Sequence, residues 1–148
     1  MSTDALGRPP KWFWAVSGFG LVWNALGFLA FIVQVTMDLG ELPDAERLFY
    51  ETQPTWATAA FGIAVASGVI GCLALLLRRR WAAPMLLLCL AAILVQSFHS
   101  VALSNGIEVF GPQGMILPLT VFAVAAALTW VAKLSEKRGW LGPRRADR

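Results

Sequence analysis

Four long runs of apolar residues alternate with short polar connections along the chain. The runs cover residues 13–37, 56–77, 81–103 and 111–132, and none of them contains Lys, Arg, Asp or Glu. About 20 helical residues are enough to cross the ~30 Å hydrocarbon layer of a bilayer. Because a spanning segment has to satisfy its own backbone hydrogen bonds, these runs predict four transmembrane helices.

Little of the chain remains for anything besides these helices. Hydrophobic residues make up 57 % of the 148 residues, above the roughly 45–50 % that is usual in soluble domains. The tails, 1–12 and 133–148, are short. We therefore predict an all-α, polytopic membrane protein, a single domain (1–148) built as a bundle of four transmembrane helices.

The basic residues are concentrated on one side of this predicted bundle. Eleven of the 12 Lys and Arg residues lie in the two tails and in the connection at residues 78–80, which an even number of crossings places together. The other side carries Arg47 and six acidic residues. The positive-inside rule therefore predicts that both termini are cytoplasmic. Anionic lipid headgroups account for the basic clusters, so no nucleic-acid partner is expected.

The loop at residues 38–55 has its own pattern. Apolar residues recur in it at helical spacing, and Pro43 and Pro54 bracket the pattern as start and stop signals. This predicts a short amphipathic helix in the first periplasmic loop, either on the membrane surface or capping the bundle. A partly ordered connector is the alternative.

Two connections constrain the helices on either side of them. The turn at residues 78–80 is so short that the second and third helices must be antiparallel neighbours. The fourth helix is expected to begin at Gly111 and Pro112, with a kink where Pro118 interrupts its backbone hydrogen bonds.

Each predicted helix carries a stripe of small or polar residues. Since lipid is as apolar as leucine, helices associate through close packing of small residues and occasional polar bonds, so the stripes should face the bundle interior. The stripes are Ser17, Gly20, Asn24, Gly27 and Gln34; Ala60, Ala64, Ser67, Gly68 and Gly71; Cys89, Ala92, Gln96, His99 and Ser100; and Thr120, Ala123 and Ala127.

Four polar side chains in these stripes are the candidate binding residues: Asn24, Gln34, Gln96 and His99. A polar group at membrane depth is costly unless it is paired, and it is a functional candidate for that reason. One interpretation is a set of interhelical hydrogen bonds that fix helix register, typically worth ~0.6 kcal/mol each. The other is a small polar pocket open to the periplasm.

Several motifs resemble a family of small four-helix bacterial inner-membrane proteins, some of which carry an automatic sugar-transporter label. They are VWNALG at 22–27, PTWATAAFGIAV at 54–65, GCLALLLRR at 71–79, SNGIEVFGP at 104–112 and KRGWL at 137–141. The resemblance extends over nearly the whole chain. It implies a multi-pass protein of the bacterial inner (cytoplasmic) membrane, and no catalytic or binding residue is carried over with it.

No enzyme, metal or cofactor is expected. The chain has one His, no carboxylate within its spans, and none of the HExxH, GxSxG or CxxC motifs. Cys72 and Cys89 are expected to be small buried hydrophobic residues. Two functions remain: a non-enzymatic accessory protein that binds another membrane protein or itself as a homo-oligomer, or a transporter or facilitator of small, sugar-like solutes that acts as an oligomer.

Overall fold

A computed structural model describes residues 7–142 of the chain, and all of its regular structure is helical. The α-helices are α1 (Lys11–Thr36), α2 (Asp44–Glu51), α3 (Thr55–Leu76), α4 (Ala82–Phe98), α5 (Gly106–Phe110) and α6 (Ile116–Lys137). A 3₁₀ turn, Leu39–Glu41, precedes α2, a π-helical turn, His99–Leu103, extends α4, and a 3₁₀ turn, Pro112–Met115, leads into α6.

Four of these helical segments can cross a membrane by length and composition. They are Lys11–Thr36, Thr55–Leu76, Ala82–Leu103 and Pro112–Lys137, each of 22 or 26 residues. Their outer faces are covered by exposed Leu, Ile, Val and Phe side chains, which suit a lipid environment. The predicted all-helical class and the predicted presence of four helices long and apolar enough to span a membrane are confirmed, and they suggest a multi-pass membrane protein.

Helix α3 lies at the centre of the bundle. This helix has the most buried span of the four and packs against α1 on one side and α4 on the other, while α6 packs mainly against α4. The predicted antiparallel contact of the second and third spans is confirmed, because Gly71 of α3 lies against the side chain and backbone of Leu86 in α4.

The bundle is tightly packed at one end only. At the end that contains Arg78 (the Arg78 end), all four long helices and residues after α6 share one core: Phe13, Cys72, Ala74, Leu75, Ala82, Ala83, Leu86, Leu128, Val131, Ala132, Trp140 and Leu141. At the opposite end, which contains α2 (the α2 end), α1 has no buried residue after Asn24 and α6 has none before Ala125. The helices therefore pack less closely toward the α2 end.

Residues 140–142, the C-terminal clasp, fold back over the Arg78 end. Gly139 adopts a left-handed backbone (φ 68°) that ends α6 and reverses the chain. The indole of Trp140 then packs edge-on against Phe13 at 5.9 Å, and Leu141 is buried. The N–H of Gly142 donates to the carbonyl of Arg78 at 2.8 Å. The clasp thereby joins the end of α6 to the turn between α3 and α4.

The loop after α1 contains the short helix that the proline-bracketed pattern predicts. It runs from Asp44 to Glu51, and Pro43 lies at its N-cap. The ring of Phe49 meets the ring of Phe110 edge-on at 5.1 Å, which joins α2 to α5. This helix caps one end of the bundle by packing on the connection between α4 and α6.

The fourth span differs from expectation at its start. Pro112 begins a 3₁₀ turn and the α-helix itself begins only at Ile116, so Pro118 lies in its first turn. The first N–H groups of a helix have no intrahelical partner, so a proline there removes no hydrogen bond and requires no kink. The predicted kink at Pro118 therefore loses its physical basis.

The prediction that the small-residue stripe of the fourth helix faces the bundle interior is also wrong. Thr120, Ala123 and Ala127 are all exposed, and α6 instead buries Ala125, Leu128, Thr129, Val131, Ala132 and Ser135. The reason is a second stripe of small residues at helical spacing on the same helix. Thr129 lies on it and donates to the carbonyl of Leu86 at 3.2 Å, which selects that face for packing on α4.

Candidate functional site

Asn24 lies where α1 crosses α3 and is 9 % exposed. Its Nδ2 donates to the carbonyl of Gly20 at 2.8 Å, one turn earlier in α1, and to Sγ of Cys72 in α3 at 3.6 Å. Its Oδ1 lies over Gly68, where any Cβ would overlap it. The carboxamide is therefore enclosed by the neighbouring helix and packs directly on its backbone.

The two cysteines lie beside this crossing, Cys72 on α3 and Cys89 on α4. Both are buried free thiols, in agreement with their expected packing role. A Cβ on Gly20 would lie 3.0 Å from Sγ of Cys72, and a Cβ on Gly68 would lie 3.2 Å from Sγ of Cys89. Glycines thus make room for both sulfur atoms, and the arrangement around Asn24 is dense packing with no space for a ligand.

His99 lies at the other end of the bundle, on the π-helical turn that extends α4. It is 6 % exposed, and its ring meets the indole of Trp56 edge-on at 5.1 Å. Within residues 7–142, its imidazole forms no hydrogen bond. π-Turns within α-helices are often found at functional sites, and this one places the only His of the chain on it.

A cavity of about 290 Å³ adjoins His99 between α2, α5 and the π-turn. Its apolar walls come from both short helices, and its polar groups come mostly from the connection after α4. The lining residues are Ala45, Leu48, Phe49, Thr52, His99, Leu103, Ser104, Asn105 and Val109. Its lining mixes apolar and polar groups, and its volume lies just below the usual range of small-molecule pockets.

The shape of this cavity depends on Gly106 at the start of α5. A Cβ at this position would lie 2.8 Å from the carbonyl oxygen of Ser100 and 3.4 Å from the ring of Phe49. Only glycine therefore allows the chain after the π-turn to approach both the turn and α2. The hydroxyl of Ser104 donates to the same Ser100 carbonyl at 2.9 Å.

Gln34 lies at the same end but lines a different cavity, of about 270 Å³, together with Tyr50 and Gln53. Its Nε2 donates to Oε1 of Gln53 at 3.4 Å, which connects α1 to the segment between α2 and α3. Burial, and secondarily the negative charge of Glu46, raise the pKa of the Tyr50 phenol above its usual value.

Gln96 is half-buried in α4, one turn before His99, and its side chain makes no hydrogen bond with the described part of the chain. The four candidate residues thus do not form one cluster. Asn24 belongs to a packed helix crossing, Gln34 and His99 line separate cavities, and no side-chain hydrogen bond joins any two of the four within residues 7–142.

Sequence reasoning missed several of the residues that complete these sites. Gln53 and Trp56 are the partners of Gln34 and His99, and Phe49 forms a wall of the His99 cavity. Trp56 begins a span, where tryptophan is typical of the membrane interface, so its position gives no signal of a contact with His99. Among residues 7–142, no group of three or more His, Cys, Asp or Glu side chains is placed to hold a metal ion.

The chain was also compared with known proteins. No family model, no curated protein and no solved structure matches it.

Proposed function

We propose that this protein is a non-enzymatic accessory protein of the bacterial inner membrane that binds a transmembrane helix of a second copy or of another membrane protein. The observation that carries the proposal is the outward stripe on α6, formed by Thr120, Ala123 and Ala127. Small residues recur on it at intervals of three and four, so they share one face of the helix.

An exposed stripe of this kind favours another helix over lipid. Small side chains let two helix backbones approach closely, and van der Waals packing then drives association in a bilayer. The hydroxyl of Thr120 already donates to the carbonyl of Ile116 at 2.7 Å, so the stripe presents no unpaired donor to lipid. Ile116 and Trp130, both more than 60 % exposed, flank it and would border the contact with a partner helix.

The α6 stripe is tested by adding bulk to it. Ala127→Leu is expected to weaken self-association by about fivefold or more, because filling a close helix contact costs ~1–3 kcal/mol. Ala91→Leu is the matched control, since Ala91 is an exposed alanine on α4 with Leu87, Leu88 and Leu94 exposed around it. The measurement is energy transfer between labelled copies in vesicles at increasing lipid dilution.

If the partner is a different membrane protein, it is detected by identifying the proteins that co-purify with each variant. The proposal fails if Ala127→Leu and Ala91→Leu change neither self-association nor the set of co-purifying proteins, or if both change them equally.

The alternative function is transport of small, sugar-like solutes by an oligomer. The His99 cavity favours it, because a buried, unbonded imidazole among apolar walls offers one hydrogen-bonding group to a solute. Vesicles that contain the protein should then take up a labelled hexose faster than empty vesicles, and His99→Leu should abolish the difference. Equal uptake by both kinds of vesicle would remove this alternative.

A further inference from the structure

The arginines at the turn between α3 and α4 are held in place by the C-terminal clasp. Nε of Arg78 donates to the carbonyl of Trp140 at 2.6 Å, and Nε of Arg80 donates to the carbonyl of Gly142 at 3.1 Å. Arg78 itself has a left-handed backbone (φ 54°), which residues other than glycine seldom adopt. Two guanidinium groups are therefore fixed to one short segment by directed hydrogen bonds.

One guanidinium nitrogen at this end lacks a hydrogen-bond acceptor among residues 7–142. It is Nη2 of Arg78, which is buried. Leaving a buried cationic donor unpaired is costly, so the turn favours negative charge close to it.

The basic residues at the two ends of the bundle differ in whether they form ion pairs. Arg47, at the α2 end, pairs with Asp44 at 2.7 Å and with Glu51 at 3.9 Å. At the Arg78 end, residues 7–12, 77–81 and 133–142 contain eight Lys or Arg residues and one acidic residue, Glu136. In the described part of the chain, none of those eight cations lies within 4 Å of a carboxylate. Anions from outside these residues are therefore the natural partners.

Tryptophans mark the depth of this charge. Trp12, Trp14, Trp81 and Trp130 all belong to the Arg78 end and are all more than 40 % exposed. Exposed indoles concentrate at the level of the lipid headgroups. The arginines of the turn consequently lie near the depth of the phosphate groups of a surrounding bilayer.

We propose that the arginine turn and the C-terminal clasp form a binding site for the phosphate group of an anionic phospholipid. Guanidinium groups suit phosphate because they present paired donors to its oxygens. A lipid phosphate, rather than a soluble anion, fits the depth that the tryptophans set. The site goes beyond the proposed helix-binding function and does not depend on the α6 stripe.

Native mass spectrometry tests the site directly. The purified protein is offered an equimolar mixture of phosphatidylglycerol and phosphatidylcholine with identical acyl chains. We expect phosphatidylglycerol adducts to predominate. Arg79→Gln, which removes an exposed charge, should lower that preference by about fivefold. Arg80→Gln should lower it further, because it also removes the bond to Gly142.

Three comparisons distinguish a defined binding site from diffuse electrostatic attraction of the lipid. Arg47→Gln, at the other end, should leave the preference unchanged. Gly142→Pro removes the N–H that donates to Arg78 without changing any charge, and it should reduce the preference while the bundle stays folded by circular dichroism. Inorganic phosphate at millimolar concentration should not displace the lipid.

Equal binding of the two lipids would overturn the proposal, as would an equal loss in Arg47→Gln and Arg79→Gln. If Gly142→Pro kept the full preference for phosphatidylglycerol, the lipid would be held by diffuse electrostatic attraction and not by a defined binding site. Displacement of the lipid by inorganic phosphate would show a site for soluble anions instead.

Discussion

Gly68 and Gly18 both lie in transmembrane helices, but only one of them has no room for a side chain. A Cβ on Gly68 would overlap Oδ1 of Asn24, whereas a Cβ on Gly18 would meet nothing within 4 Å. We expect Gly68→Ala to lower the free energy of unfolding by ~1–3 kcal/mol, because α1 has to move away from α3. Thermal unfolding in detergent, followed by the monodisperse fraction, measures the effect.

Gly18→Ala is the control and should be neutral or slightly stabilising, because alanine is the better helix former. Combining Gly68→Ala with Asn24→Ala should cost less than the sum of the two single changes, since the obstructing carboxamide is gone. Additive losses, or equal losses at both glycines, would show that Asn24 does not pack on Gly68.

The sequence predicted the packed residues around Asn24 better than it predicted the cavities. Ser17, Gly20 and Asn24, and the α3 ridge that includes Gly68, are buried as their helical spacing indicates. Periodicity identifies a face of a helix. It does not say which neighbour meets that face or at what height, so the contacts of Gln34 with Gln53 and of His99 with Trp56 could not be inferred.

Two short helices, α2 and α5, determine whether the α2 end is covered. Their contact is the edge-on pair of Phe49 and Phe110, and Tyr50 next to Phe49 is the only Tyr of the chain. Phe49→Ala should release α2 and hydrate the Tyr50 phenol, so its raised pKa should fall toward its usual value of about 10. Absorbance at 295 nm during alkaline titration measures this pKa, since tryptophan does not titrate in that range.

The sign of the stability effect follows from the same pKa. A phenol whose pKa is raised by folding contributes stability that is present below its unfolded pKa and is lost as pH rises through the folded pKa. The intact protein should therefore lose α2 docking in strong alkali, and Tyr50→Phe should lose less. Leu48→Ala is the control, because Leu48 is 60 % exposed. An unchanged Tyr50 titration in Phe49→Ala would contradict the docking of α2 through Phe49.

At the scale of elements, the long helices followed from the sequence and the irregular turns did not. The spans starting at 13, 56 and 81 correspond to helices that start at Lys11, Thr55 and Ala82, because hydrophobic runs and charged boundaries determine them. The π-turn at His99–Leu103 and the 3₁₀ turn at Pro112–Met115 depend on how α5 fits against α2 and α4. Such tertiary contacts leave no periodic signal along the chain.

At the scale of the whole molecule, the two ends differ in packing as well as in charge. The Arg78 end has the shared core and the clasp, whereas the α2 end has two cavities and a cap of short helices. A tightly packed end and a looser end fit an orientation in which any solute enters from the α2 side. The proposed lipid site at the Arg78 end and solute entry at the α2 end therefore both depend on how the protein is oriented in the membrane.

We predict that the Arg78 end faces the cytoplasm. The sequence assigns eleven of the 12 basic residues to the two tails and the turn on that side, and the distribution of Lys and Arg near helix ends determines orientation. A reporter enzyme that is active only in the periplasm should be inactive when fused after Arg148 and active when fused after Gln53, in the loop between α2 and α3. Replacing Arg78, Arg79 and Arg80 together by Gln should not invert this pattern, because eight basic residues remain on the same side. Strong activity of the fusion after Arg148, with none after Gln53, would reverse the orientation and place the lipid site in the outer leaflet.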